Sequence, residues 1–222
     1  MASKYERITD LYLQTAGEVA TQENWPPFLT TACYNFRLSF DKQILLYAQR
    51  PDATAVLPIE GRQGWNQRFG RWVNRGSKGI AILDSDSNGQ ARIKYYFDIA
   101  DTHEGRHPSP VPIWAVHSEQ EQAIVETLEN SFGVLENTDT LGNALISAAS
   151  NVMEDNFQDY LAQLVYYKEG SFLEPLDEES LEAIFKPLLQ NSIGYMLLVR
   201  CGLDPSEYFE DMDFRDVTDF NT

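Results

Sequence analysis

Apolar residues recur every three or four positions over most of this chain and alternate in only one region. The pattern therefore predicts helices at both ends and a small sheet between residues 54 and 99. Ser3 is a good N-cap for a helix whose stripe runs through Tyr5, Ile8, Leu11, Tyr12, Thr15 and Val19. A second helix starts near Pro27 and runs through Phe28, Ala32, Cys33 and Phe36. A third, residues 41–50, takes Ser39 or Asp41 as its cap and stops before Pro51. Residues 54–59 read as a strand that Pro58 confines to an edge or a strand end. Residues 61–70 fit a short helix, 74–79 a tight turn, and 80–83 with 91–99 a β-hairpin. The connection, residues 84–89 (DSDSNG), superficially resembles a calcium loop but lacks the glutamate at its twelfth position, so a hairpin turn is the better account.

Residues 106–117 are Pro-rich and read as an extended connector. Beyond them the 3.6-residue period dominates. Ser118 and Glu121 form a capping-box pattern ahead of Ile124, Val125 and Leu128, and Gly133 ends that helix. Further helices are expected over 141–153, 157–165 and from Leu181 to a stop or kink at Pro187, resuming over 188–200 with Gly202 at the C′ position. The fold class is therefore α+β: N-terminal helices with a small antiparallel sheet (1–105), the connector (106–117), and an acidic all-α helical bundle (118–222). The final stretch is acidic with no helix stop, so the chain could be the front of a longer protein.

Charge changes the picture. The chain of 222 residues has 17 Lys and Arg against 34 Asp and Glu, a net charge of −17 that would ordinarily argue against nucleic acid. It is unevenly spread. Residues 1–105 hold 12 cations and 12 carboxylates, and residues 106–222 hold 5 and 22, so the whole excess lies in the second half. The two cysteines, Cys33 and Cys201, sit in apolar helical patterns and are expected to be buried free thiols of a reducing compartment. No apolar run approaches the roughly 20 residues of a membrane span, and a cytoplasmic location is expected.

The stretch 60–83 is where chemistry concentrates. Between Arg62 and Lys78 stand Arg62, Arg68, Arg71, Arg75 and Lys78 with no carboxylate, interleaved with Trp65, Phe69 and Trp72. Cations neutralise phosphates and flat rings stack on unpaired bases, so this can seat a single strand of nucleic acid. The other reading is also open: Trp65, Phe69, Trp72 and Ile80 form the core of a small α+β unit and the cations its solvated rim. In the following strand Arg92, Lys94 and Tyr96 alternate with Ile93, Tyr95 and Phe97, so one face could extend the basic surface or be ordinary solvent-out alternation.

Motifs for catalysis are missing. The sequence has no GxGxxG, GxxxxGK[ST], HExxH or GxSxG, and His103, His107 and His117 fit no short metal-ligand spacing. No enzyme activity, cofactor or metal is expected.

Residues 1 to about 105 resemble the N-terminal domain of the ArdC family of antirestriction proteins, also found at the front of large helicase or methyltransferase proteins of conjugative elements. The resemblance is carried by SFDKQILLYAQRPDAT, by the tryptophan in GWNQRFGRWV, by the turn RGSKGIAIL and by the strand YYFDIADT. It implies single-stranded DNA binding in aid of incoming plasmid or transposon DNA. Trp65, Arg68, Trp72, Arg75 and Lys78 are the matched candidates, and charge alone adds Arg71, Arg92 and Lys94. The HExxH half of that family is absent from this sequence, so no protease activity is expected. The acidic half suggests a second kind of function, an acidic protein-interaction or DNA-mimic module that blocks or recruits a DNA-processing enzyme.

Overall fold

The computed structural model describes residues 2–59, 61–85, 89–112, 116–171 and 173–220. Three helices come first: α1 (Lys4–Val19), α2 (Trp25–Tyr34) and α3 (Phe40–Gln49). Ser3 caps α1 reciprocally. Its Oγ accepts from the Glu6 amide at 3.1 Å while its own amide donates to Glu6 Oε2 at 2.6 Å. The second helix begins two residues earlier than the spacing predicts, because Pro26 and Pro27 fit a first turn that needs no amide hydrogen. Ser39 holds the N-cap of α3 in extended conformation without a side-chain bond.

Five short strands follow, β1 (Val56–Pro58), β2 (Arg71–Val73), β3 (Ile80–Ser85), β4 (Ala91–Asp98) and β5 (Thr102–Glu104), with the one-turn helix α4 (Trp65–Phe69) after β1. One antiparallel sheet has the order β1-β4-β3 and a second pairs β2 with β5. The chain is thus α+β, as the pattern indicates. Pro58 ends an edge strand, where its missing donor is harmless. The hairpin register runs from Ile80 opposite Tyr96 to Ser85 opposite Ala91, and residues 86–88 of its turn lie outside the described residues. The sheet is covered on both faces. Val56, Ile80, Ile82 and Tyr96 pack with Leu45 and Leu46 of α3 and with Ile8 and Tyr12 of α1. Leu57 and Phe97 pack on the other face with Trp65 and Phe69 of α4.

A buried carboxylate ties these pieces together. Asp98 is 3% exposed. Its Oδ2 accepts from the amides of Thr54 (2.8 Å) and Ala55 (3.1 Å), and its Oδ1 from that of Ala100 (2.9 Å). The Asp98 amide donates to Asp101 Oδ2 at 3.3 Å, and Asp101 receives Arg50 Nη1 from the end of α3 at 3.3 Å. The 3₁₀ turn Ile99–Asp101 then hands the chain to β5.

The chain divides into two compact units, Met1–Val19 with Thr31–Ile113, and Ala20–Thr30 with Trp114–Thr222. Residues 20–30, expected in the first domain, group with the second unit. That unit contains α5 (Glu121–Phe132), α6 (Leu141–Tyr167), α7 (Glu178–Cys201) and the 3₁₀ segments Ser118–Gln120, Pro205–Glu207 and Asp211–Phe220. The capping box expected from Ser118 and Glu121 is set one residue earlier, with the His117 amide donating to Gln120 Oε1 at 3.2 Å. The two helices expected over 141–165 are one. Met153, Phe157 and Leu161 keep a four-residue spacing across the exposed Glu154, Asp155 and Asn156, so the stripe is never interrupted. Pro187 does not divide α7 either. It lies on the exposed side of the helix, as does Ala183, whose carbonyl the missing amide would have bonded. Gly202 in the left-handed region closes α7, with Leu203 donating to Leu198 O and Gly202 to Val199 O, both at 3.0 Å. Both cysteines are buried and outside any disulfide, and burial pushes the Cys201 thiol up to about 11. Among the described residues no helix is long and apolar enough to cross a membrane.

Removing the Asp98 carboxylate leaves three backbone amides without their acceptor. Asp98→Ala is expected to lower the stability of the first unit by about 2–3 kcal/mol, measured by urea unfolding of the full chain. A loss below about 0.5 kcal/mol, the range of a neutral surface change, would count against this assignment.

Candidate nucleic-acid interface

The small ladder of β2 and β5 sorts the central residues. Arg71 lies opposite Glu104, Trp72 opposite His103 and Val73 opposite Thr102. Side chains alternate, so Arg71 and Val73 take one face of the ladder and Trp72 with His103 takes the other. Arg71 donates Nε to Thr102 Oγ1 at 2.8 Å, Nη1 to Glu104 Oε1 at 3.1 Å and Nη2 to Thr102 O at 3.3 Å. Its guanidinium is largely covered and holds the two strands together, so Arg71 is not the phosphate contact its charge suggests. On the opposite face Trp72 is 53% exposed.

Two glycines set this indole in place. Gly70 closes α4 at φ 60°, and the His107 carbonyl stands where its Cβ would be. The Gly105 amide donates to Gly70 O at 2.8 Å. A Cβ on Gly105 would come within 2.8 Å of Trp72 Nε1, so the edge of the indole rests against this backbone.

The turn leading to β3 is pinned from below. The Asn74 amide donates to Asp101 O at 2.8 Å, the Ser77 amide to Asn74 O at 3.1 Å, and the Ser77 hydroxyl to Asp101 O at 3.4 Å. His103 Nδ1 lies 2.8 Å from Asn74 Oδ1; the amide oxygen only accepts, so Nδ1 carries the hydrogen. Arg75 and Lys78 project from this turn. Both are exposed, and neither makes an ion pair or hydrogen bond among the described residues. Arg68, on α4, is exposed, lies 5.0 Å from the Phe69 ring and donates to Gln63 Oε1 at 2.9 Å, leaving its charge uncompensated by any carboxylate among the described residues.

The other expected residues lie elsewhere. Trp65 is 0% exposed, its Nε1 donates to Phe97 O at 2.8 Å and its ring meets Phe69 at 5.7 Å. For Trp65, Phe69 and Ile80 the core reading holds, and a base has no access to the Trp65 indole. Arg92 and Lys94 share a sheet face with Ile82 and Tyr96, opposite to the one Trp65 covers. The turn enters β3 opposite Tyr96, whereas Arg92 is four residues further along β4, about 13 Å at strand rise. Lys94 Nζ stands 4.0 Å from Asp84 Oδ2. Burial pushes the Asp84 carboxyl up, but hydrogen bonds from Lys42 and the Ser85 amide and the charges of Lys42 and Lys94 outweigh it and hold Asp84 below the usual carboxylate range. Lys94 is therefore paired and Arg92 stands apart from the turn.

Two further residues belong with Trp72. His103 is its cross-strand partner, and Arg106 is an exposed cation directly after Gly105. The only sequence signal for either was the short run of polar residues after β4, because their approach to Trp72 depends on the β2-β5 pairing. The first unit as a whole holds 13 Lys and Arg against 11 Asp and Glu, a net +2, and the second holds 4 against 23, a net −19. No group of His, Cys, Asp or Glu among the described residues is arranged to hold a metal ion.

The two tryptophans should separate in experiment. Trp65→Ala is expected to cost about 3–5 kcal/mol of stability in urea unfolding, whereas Trp72→Ala changes it by less than about 1 kcal/mol. Equal losses for the two would contradict the placement described. The chain matches no protein-family model, no curated protein and no solved structure.

Proposed function

We propose that the first unit is a single-stranded DNA-binding module that acts by binding alone, in the service of mobile-element DNA transfer or antirestriction. The observation that carries this reading is the half-exposed Trp72 of β2 followed, three and six residues along the chain, by the exposed Arg75 and Lys78 of the pinned turn, which make no ion pair or hydrogen bond among the described residues. A flat indole accepts the face of any base, and the two cations neutralise the phosphates on either side, a combination that tolerates any sequence. Arg68 on α4 and Arg106 after β5 are further exposed cations of the same unit, whose net charge is +2. The link to mobile elements rests on the resemblance of residues 1–105 to the ArdC-type domain and on nothing further.

Anisotropy of a labelled oligothymidine about 15 nucleotides long tests the reading, with the full chain at about 50 and 200 mM salt. Affinity is expected to fall steeply with salt. Trp72→Ala should cost about 1–3 kcal/mol of binding. Arg75→Ala with Lys78→Ala should reduce the magnitude of the slope of log affinity against log salt by about 1.4, twice the value for one single-strand phosphate contact. Absence of binding at the lower salt, or binding indifferent to both sets of changes, would overturn it.

A further inference from the structure

The second unit carries a surface of the opposite character. In α6 the buried residues Met153, Phe157 and Leu161 form the inward stripe, and three tyrosines lie off it. Tyr166 is 77% exposed, Tyr167 74% and Tyr160 39%. Tyr166 and Tyr167 stand edge to face with ring centres 4.9 Å apart. Tyr160 and Tyr167 are seven residues apart and share one helix face, and Asp155, Asp159 and Tyr166 recur at helical spacing on a second face about 100° around the helix. The result is a band of carboxylates leading to a pair of open phenol rings. α6 itself contains no Lys or Arg over its 27 residues; Lys168, which follows, directs its Nζ to the Leu176 carbonyl, and Lys186 of α7 meets α6 at Glu154, off this band. The negative end of the helix dipole lies at the same place, and Glu169 extends the acidic edge.

We infer that the Asp155, Asp159, Tyr160, Tyr166 and Tyr167 band of α6 is a docking surface for an arginine-bearing basic protein. Charge complementarity selects the partner, since a unit of net −19 repels polyanions and other acidic surfaces and attracts a cationic one. The rings select arginine among cations. A planar guanidinium stacks face-on against a phenol and, where it meets a carboxylate, donates two parallel hydrogen bonds to it, whereas a lysine ammonium meets either as a point charge. Exposed tyrosines clustered on a rigid helix are also the residue type on which protein interfaces concentrate their binding energy. This inference is independent of the DNA-binding reading, because it uses no residue of the first unit.

Two labelled peptides of equal length and charge serve as probes, one alternating arginine with glycine and one alternating lysine with glycine, titrated into the full chain and followed by anisotropy. The arginine peptide is expected to bind at least about fivefold more tightly. Tyr166→Ala with Tyr167→Ala should abolish that preference, Asp155→Asn with Asp159→Asn should weaken binding of both peptides, and Arg75→Ala with Lys78→Ala should change neither. Far-UV circular dichroism confirms that each variant is folded. Equal affinity for the two peptides, or a preference that survives loss of both tyrosines, would reduce the effect to general attraction by an acidic surface and overturn the inference. Self-association in sedimentation that disappears with the tyrosines would overturn it as well, by assigning the band to a second copy of this chain.

Discussion

The Asp98 carboxylate is the constraint on which the first unit turns. It removes one acidic side chain from water and satisfies it with three backbone amides from two segments, Thr54 with Ala55 before β1 and Ala100 after β4. A buried carboxylate persists only when its acceptor capacity is filled, so the two segments are held in a single arrangement. Everything that presents Trp72 follows from this. The chain leaves β4 through the 3₁₀ turn capped by Asp98, Asp101 offers its carbonyl to Asn74 and Ser77, and β5 lays Thr102 and His103 along β2. A basic turn hung from a rigid frame meets a ligand with little conformational entropy left to lose.

Arginines in this unit serve two unlike purposes. Arg50 and Arg71 are spent inside the structure, the first on Asp52 and Asp101 and the second on Thr102 and Glu104. Arg75 and Lys78 have no such partners among the described residues and stand in solvent. Charge counting cannot separate the two groups, because Arg71 and Arg75 are four residues apart and only the β2-β5 pairing shows that the first is tied into a ladder. The distribution of charge between the units is sharper than the halves of the chain suggest. Assigning residues 20–30 to the second unit moves Glu23 with them, and extending the first unit to residue 113 adds Arg106, which leaves +2 against −19. The protein therefore offers a nearly neutral unit with a local cationic turn, and a strongly anionic helical unit whose exposed rings lie among carboxylates.

Much of the secondary structure was legible from spacing, and the exceptions share a cause. Caps and stops such as Ser3, Pro58 and Gly202 act through the local backbone, so their identity alone located them. The long helix α6 was divided in sequence because Glu154, Asp155 and Asn156 form a polar run, although Met153 and Phe157 keep the helical period across it. The strand β2 was hidden because RWV is too short to show alternation and exists only by pairing with β5, some thirty residues away. The candidate interface was half legible for the same reason. Trp65 and Trp72 are seven residues apart and look alike in sequence. One lies in a core built with Phe97 and the other beside Gly105, and both neighbours come from distant segments.

By itself, the sequence determined the α+β class, the separation of charge, and the concentration of cations between residues 62 and 78. These depend on composition and on contacts within a few residues. Only the tertiary structure decided which indole is core and which is surface, that Arg71 closes a ladder, that Arg92 and Lys94 occupy another sheet face, and that His103 and Arg106 join Trp72. Those outcomes depend on strand register, where a shift of one residue exchanges the two faces, and register is set by long-range packing that no local pattern encodes.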